Sequence, residues 1–154
     1  MIKLVRIDHR LLHGQVIFSW TKQYDINHII VADDQVPEEP MTVMALSLAK
    51  PADCQLDIVS IDKVAQVLAA KPDDRYLLLV KGPKEAVELV KNVPEIKAIN
   101  YGGVAKKANS IAYGKAVYLN EAELAATRDL LARHIELYVQ QVPTAPVEVV
   151  DFMN

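Results

Sequence analysis

Cysteine occurs once in the 154 residues, at Cys54. A lone cysteine excludes an intramolecular disulfide and any cysteine-based metal site. Nothing cationic flanks it and an apolar stretch comes after it, so it reads as a small buried hydrophobe. Positive charge is not in excess: 17 Lys and Arg stand against 20 Asp and Glu, a net charge of −3, which gives no bulk electrostatic case for binding nucleic acid. No apolar run is long enough to span a bilayer. No two of the four histidines have metal-ligand spacing on one face, because His9 and His13 flank a loop and not a helical turn, so a zinc site is rejected and no metal is expected. Linkers, repeats and low-complexity segments are lacking. The chain opens in a strand-like run without an n-region, h-region or cleavage site, and the expectation is a cytoplasmic protein.

The composition that remains, 51% hydrophobic and 24% charged, suits one globular domain spanning residues 1–154. Strand-like and helix-like stretches alternate throughout. The expected fold is α/β: a three-layer α/β/α arrangement with a mainly parallel central sheet of six or seven strands and helices on both faces. Strands are predicted over 2–7, 28–32, 56–59, 76–80, 97–101, 116–119 and 137–139. Helices are predicted over 14–24, 42–49, after Ser60 as N-cap, after Pro83 with Ala86, Val87, Leu89 and Val90 as its apolar stripe, and from Glu121 to His134 behind Asn120 as cap. Phe18 and Trp20 are assigned to the core. Residues 104–110 read as a loop, and residues 143–154 fit either an edge strand or a short helix.

The stretch Arg6-Ile7-Asp8-His9-Arg10-Leu11-Leu12-His13-Gly14-Gln15-Val16 organises the rest. It reads as the end of the first strand, a short polar loop and the start of a helix. In an open α/β sheet, ligands sit at such a place, beyond the carboxyl end of a strand and beside a helix N-terminus that favours anions. An imidazole with an arginine three residues before it suits a phosphoryl carrier: the ring is a nucleophile near neutral pH and the guanidinium pairs with phosphoryl oxygens. The plain alternative is a solvated loop. In a parallel sheet the same edge gathers Asp33-Asp34, Lys81-Gly82 and Tyr101-Gly102-Gly103. Asp33 and Asp34 either orient an imidazole or act as helix caps after the strand. Gly102-Gly103 gives either close backbone approach or a turn, and Lys81, Lys106 and Lys107 are rim or solvated cations.

These residues resemble the active-site signature of the IIB subunits of the mannose–fructose–sorbose family of the bacterial sugar phosphotransferase system. The segments Ile30–Asp34, Leu77–Lys81, Ile99–Gly103 and Ala116–Leu119 are similar to later parts of that family. The resemblance implies a mechanism. His13 takes a phosphoryl group on Nδ1 from a phosphohistidine of a IIA domain and passes it to a sugar bound by the membrane subunits IIC and IID. Arg10 is implied as the arginine that stabilises the phosphoryl group, and no cofactor, metal or nucleotide is needed. Asp8, His9, Gly14, Gln15, Asp33, Lys81 and Gly102, from the loop and the neighbouring strand ends, are expected to line or support the phosphate loop. Position 9 is His where many relatives carry Asp, which makes His9 a bystander base or a second phosphoacceptor. Contact with the membrane is expected only through IIC and IID. A carrier docks twice with one face, so Leu11 or Leu12 and Lys106 and Lys107 are expected around it. Two other readings are weighed: a histidine phosphatase or mutase, which needs arginine where Leu12 stands, and a receiver-like binding domain, whose acid belongs where Ser60 stands.

Overall fold

A computed structural model describes all 154 residues. Six strands form one sheet: β1 (Ile2–Asp8), β2 (His28–Ala32), β3 (Gln55–Val59), β4 (Tyr76–Val80), β5 (Ala98–Gly103) and β8 (Glu136–Val139). Their spatial order is β3-β2-β4-β1-β5-β8, and every pairing is parallel. The connections between them carry α1 (Gly14–Gln23), α2 (Pro40–Ala49), α3 (Val64–Ala70), α4 (Pro83–Asn92) and α5 (Glu121–Ala132). The continuous apolar runs of β2 and β4, buried along their whole length, are what a parallel sheet covered on both faces requires.

The period-2 alternation of each strand divides the core. Val5 and Ile7 of β1, Ile30 and Ala32 of β2, Leu78 and Val80 of β4, and Ile99 and Tyr101 of β5 point to one side and pack with Val64, Val87, Leu89 and Leu130 of α3, α4 and α5. Leu4, Ile29, Val31, Leu77 and Leu79 point to the other and pack with Ile17 and Trp20 of α1 and Leu46 of α2. Helices therefore cover both faces. α2 has no charged residue: Leu46 faces in, while Met41, Met44 and Leu48 are exposed.

Several boundaries differ from the sequence reading. Val117 and its neighbours do not add a strand to the main sheet. Only Tyr118–Leu119 (β7) is a strand there, and it pairs antiparallel with Ile111–Ala112 (β6) in a separate small ladder. β5 runs through Gly102 and Gly103, so these glycines are strand residues and not a turn. Ser60 does not cap a helix. Its hydroxyl donates to Asp62, and Asp34 Oδ1 instead accepts the Ile61 N–H at the start of a short 3-10 turn. The last helix stops at Ala132, before His134 turns into the left-handed region at φ 64°. In the tail, Glu148 bridges to Val139 and Phe152 is buried against Tyr101 and Tyr113. Phe18 is exposed, under the Lys22 ammonium, whereas Trp20 is core. Cys54 is buried, its thiol donates to the Ile26 carbonyl, and burial pushes its pKa up to about 11.

α5 is fixed at its start by a reciprocal cap. Asn120 Oδ1 accepts the Glu123 N–H at 2.9 Å, and Glu123 Oε1 accepts the Asn120 N–H at 3.0 Å. One turn further on, Thr127 Oγ1 meets the Tyr101 hydroxyl at 2.7 Å, which ties the helix to β5. Asn120→Ala should lower the unfolding free energy by about 0.5–2 kcal/mol. Urea denaturation should show this as a lower midpoint at unchanged slope.

Candidate functional site

β1 lies between β4 and β5, so the loop from His9 to His13 leaves the sheet at its centre, at the carboxyl edge. The loop is tightly wound. The His9 N–H donates to the Gly103 carbonyl at 2.9 Å and the Leu11 N–H to the Asp8 carbonyl at 2.8 Å. Leu11 takes φ 58°, a conformation costly for a branched side chain. It is held there because Leu11 and Leu12 are both buried under α1 and α2, packed with Ile17, Val36 and Leu46. The two leucines are anchors of the loop, and the expectation that they form an exposed docking face is corrected.

His13 is the N-cap of α1. Its side chain makes no capping bond, and no acid stands in the first turn of the helix. The unpaired N–H groups there, with Gly14 (φ 44°) and exposed Gln15, form an end that attracts anions. The ring is 23% exposed, and Nε2 lies 3.0 Å from Asp8 Oδ2. A carboxylate can only accept, so Nε2 carries the proton and Nδ1 keeps its lone pair.

Asp8 is the hub. Its side chain is fully buried and accepts five hydrogen bonds: from His13 Nε2, from the Arg10 N–H at 3.0 Å, from Arg10 Nε at 3.2 Å and Nη2 at 3.4 Å, and from Arg6 Nη2 at 3.1 Å. Burial, the largest single influence, pushes this carboxyl up. The bonds from His13 and Arg10 and the charge of Arg6 together outweigh it and hold Asp8 below the usual carboxylate range. Arg6 comes from the same face of β1, two residues earlier, and is also fully buried. Its Nη1 donates to Asn100 Oδ1 at 2.6 Å and to the Gln140 carbonyl at 3.2 Å, and its guanidinium stands 5.5 Å from the Trp20 ring centre. Burial pulls Arg6 below its ordinary range, against Asp8, yet a guanidinium stays charged in a protein. Gly102 makes the room. The register between β1 and β5 slips beside it, since Ile7 faces Tyr101 and Asp8 faces Gly103, and a Cβ on Gly102 would overlap the Arg6 guanidinium carbon.

The structure thus brings Asp8, His9, Arg10, His13, Gly14, Gln15 and Gly102 to one edge. His9 is more loosely placed, with Nδ1 at 3.9 Å from Asp8 Oδ1. Asp33 does not orient His13. It accepts the N–H groups of Gln35 and Val36 and lies 3.7 Å from Lys81 Nζ, so both residues serve the turn after β2. Lys107 Nζ is tied to Glu123 and the Tyr118 carbonyl, so it is not a free rim cation, whereas Lys106 is exposed, its Nζ 5.9 Å from the Tyr118 ring centre. Arg6 and Asn100 are the members that the sequence reading did not assign to the site. The available signal was the Arg6/Asp8 pair at i, i+2, which places both on one face of a strand. The largest cavity, about 710 Å³, is elsewhere, beside His28, Asp57 and Lys71 at the opposite end of the strands.

Because the folded state holds Asp8 below its ordinary value of about 3.9, its contribution to stability is present above that value. It is lost as pH falls through the lower, folded value. Wild-type stability should drop in this acid range, and Asp8→Asn should remove that part of the drop, measured as denaturant midpoint against pH.

The family described as PTS system sorbose subfamily IIB component matches residues 2–154. The mannose-specific EIIAB component of Escherichia coli K12 is 33% identical over 148 residues, 95% of this chain but 46% of that protein, so the chain spans about half the length of that relative. The N-acetylgalactosamine-specific IIB component 2 of the same organism is 32% identical over 146 residues, covering 94% of this chain and 93% of the relative. In structure, the IIBSor domain of the sorbose permease from Klebsiella pneumoniae superposes with a TM-score of 0.90 at 29% identity, covering 96% of this chain and 92% of that one. With a buried carboxylate aiming the imidazole and a match across nearly its whole length, the chain belongs to the sorbose-subfamily IIB components of the sugar phosphotransferase system.

Proposed function

We propose that residues 1–154 act as a single cytoplasmic phosphoryl-carrying domain. His13 Nδ1 attacks the phosphorus of a phosphohistidine on a IIA domain. The donor's N–P bond breaks as the new one forms. The group then moves to a hydroxyl of a sugar held by membrane subunits IIC and IID, and the imidazole is regenerated. The chain is thereby a protein-phosphohistidine–sugar phosphotransferase component. The observation that carries this reading is the 3.0 Å contact of Nε2 with Asp8, which leaves Nδ1 as the nucleophile at the uncapped start of α1.

Three features support it. The donor linkage is already activated, so the domain has to position the reactants and offset charge on the equatorial oxygens. Arg10 is half exposed, 47%, and beside His13's carboxylate partner, within reach of a group on the ring. The first-turn N–H groups of α1 add fixed donors. The site opens on a protein edge and not a deep cavity, which suits a group handed between macromolecules. Asp8, His9, Gly14, Gln15 and Gly102 frame the loop. Asp33 and Lys81 shape the neighbouring turn, outside the reacting set.

Incubation with a phosphorylated IIA domain should label the protein with an acid-labile, base-stable phosphoryl group. His13→Ala should abolish the label and His9→Ala should keep it; label that survives His13→Ala would move the acceptor elsewhere. Arg10→Ala should slow transfer by roughly 10- to 100-fold, the equivalent of a charge-assisted bond of about 1.5–3 kcal/mol, as measured by rapid-quench labelling.

A further inference from the structure

We propose that Arg6 is the standing cationic partner of Asp8, keeping that carboxylate ionised and aimed at His13 while Arg10 exchanges it for the phosphoryl group. The inference rests on the carrier reading and adds a division of labour between the two arginines. Both guanidinia bind Asp8, but they are held very differently. Arg6 is fully buried and has anchors beyond Asp8: Asn100 Oδ1 at 2.6 Å, the Gln140 carbonyl at 3.2 Å and the Trp20 face. The missing side chain at Gly102 leaves the space that its guanidinium fills. Every side-chain bond of Arg10 goes to Asp8, at 3.2 and 3.4 Å, from a half-exposed position. A solvated side chain with one anchor reorients in picoseconds to nanoseconds, so Arg10 is free to turn and Arg6 is not.

A phosphoryl group on Nδ1 is a stronger and more exposed anion than Asp8, and Arg10 is the mobile cation next to it. When Arg10 turns, Asp8 is left with the imidazole and Arg6. Without Arg6, a fully buried carboxylate would have to retain Arg10 or take up a proton. Retaining Arg10 withholds it from the phosphoryl group. Protonation turns an acceptor into a donor and releases the Nε2 proton, so Nδ1 no longer holds its lone pair. The charged or titratable groups around Asp8 are few. They are Arg6 on its own strand, and His9, Arg10 and His13 on the loop. The facing residues of β5 are Asn100, Gly102 and Gly103, which carry no charge, and Tyr138 of β8 stands next to Arg6.

The test combines two readouts on the full chain, Arg6→Lys and Arg6→Met against wild type. Imidazole ¹⁵N spectra of the unphosphorylated protein, with His13 assigned by its loss in His13→Ala, report the tautomer against pH without any donor. Transfer from phosphorylated IIA is followed by rapid quench. Wild type should hold His13 as the Nε2–H tautomer. Arg6→Met should mix the tautomers, move the acid limb of transfer up by about one pH unit and lower kcat by about 10-fold or more, with KM for the donor little changed. Arg6→Lys should recover part of the loss. A folded Arg6→Met with wild-type tautomer, acid limb and kcat overturns the proposal. If Arg6→Met does not fold, Asn100→Ala frees one Arg6 anchor while leaving both charges. It should then shift the same readouts in the same direction, and wild-type values there overturn the proposal equally. Failure of wild-type His13 to accept label would instead sink the carrier reading while leaving the tautomer result to stand.

Discussion

One buried carboxylate sets the geometry of this edge of the fold. Asp8 sits on the α1 side of the central strand, where its neighbours along β1 are Leu4 and Arg6 and its neighbours across the pairing are Asn100, Gly102 and Gly103. An isolated ion at that depth would be strongly unfavourable, and two paired ions are tolerable only when the remaining donors and acceptors are satisfied. The surroundings meet that condition almost completely: Asn100 and the Gln140 carbonyl take Arg6, and Arg10 and His13 take Asp8. Arg6 Nε is the one buried side-chain polar atom without a partner. The ring of Trp20, on the guanidinium, bonds in turn to the Gln141 carbonyl through its own N–H, so the segment after β8 is fastened to α1 over the charged pair.

This hub explains why the loop is shaped as it is. A carboxylate at the last position of β1 can reach an imidazole five residues later only if the chain doubles back. The left-handed turn at Leu11 and the burial of Leu11 and Leu12 provide that reversal. The strain at Leu11 is offset by apolar burial on the side facing α2. His13 emerges at the helix start with its orientation fixed through Nε2, and its other nitrogen makes no hydrogen bond within the chain. Positioning of this kind is supplied by the scaffold before any partner arrives.

Much of this was legible in the sequence. The unbroken apolar runs of 28–32 and 76–80 could only be central parallel strands, and the polar break after Ile7 marked the loop. Asn120 followed by Glu123 announced the cap of α5, and His13 with Arg10 stood out as chemistry. The hidden part depended on tertiary direction. Arg6 lies inside a strand that otherwise reads as apolar, and nothing local tells that its side chain turns inward to a carboxylate two residues on and an asparagine 94 residues away. Gly102 read either as a close approach or as a turn; the close approach is the one found, but that an arginine guanidinium fills the space could not be read locally. Lys107 looked free because its partner Glu123 lies 16 residues away, on the helix that follows, where the same carboxylate also closes the cap. Asp33 and Lys81 were grouped with the site by sheet topology alone, which gathers strand ends without saying which ones touch.

The five helices differ in how their first N–H groups are satisfied, and the difference sets α1 apart. α2 and α4 begin with Pro40 and Pro83, which have no N–H to satisfy; α3 continues from a 3-10 turn; α5 is closed by its capping box with two acids in the first turn. α1 has none of these. A missing N-cap costs a helix about 0.5–2 kcal/mol, and the cost falls on the one helix whose first residue comes directly after His13. A capping carboxylate there would occupy the donors and repel any anion. The negative charge lies instead beneath the ring, on Asp8, where two guanidinia more than offset it. The free N–H groups of α1 above the ring and the carboxylate that orients it from below are thereby kept apart, with the half-exposed Arg10 the one cation placed between them.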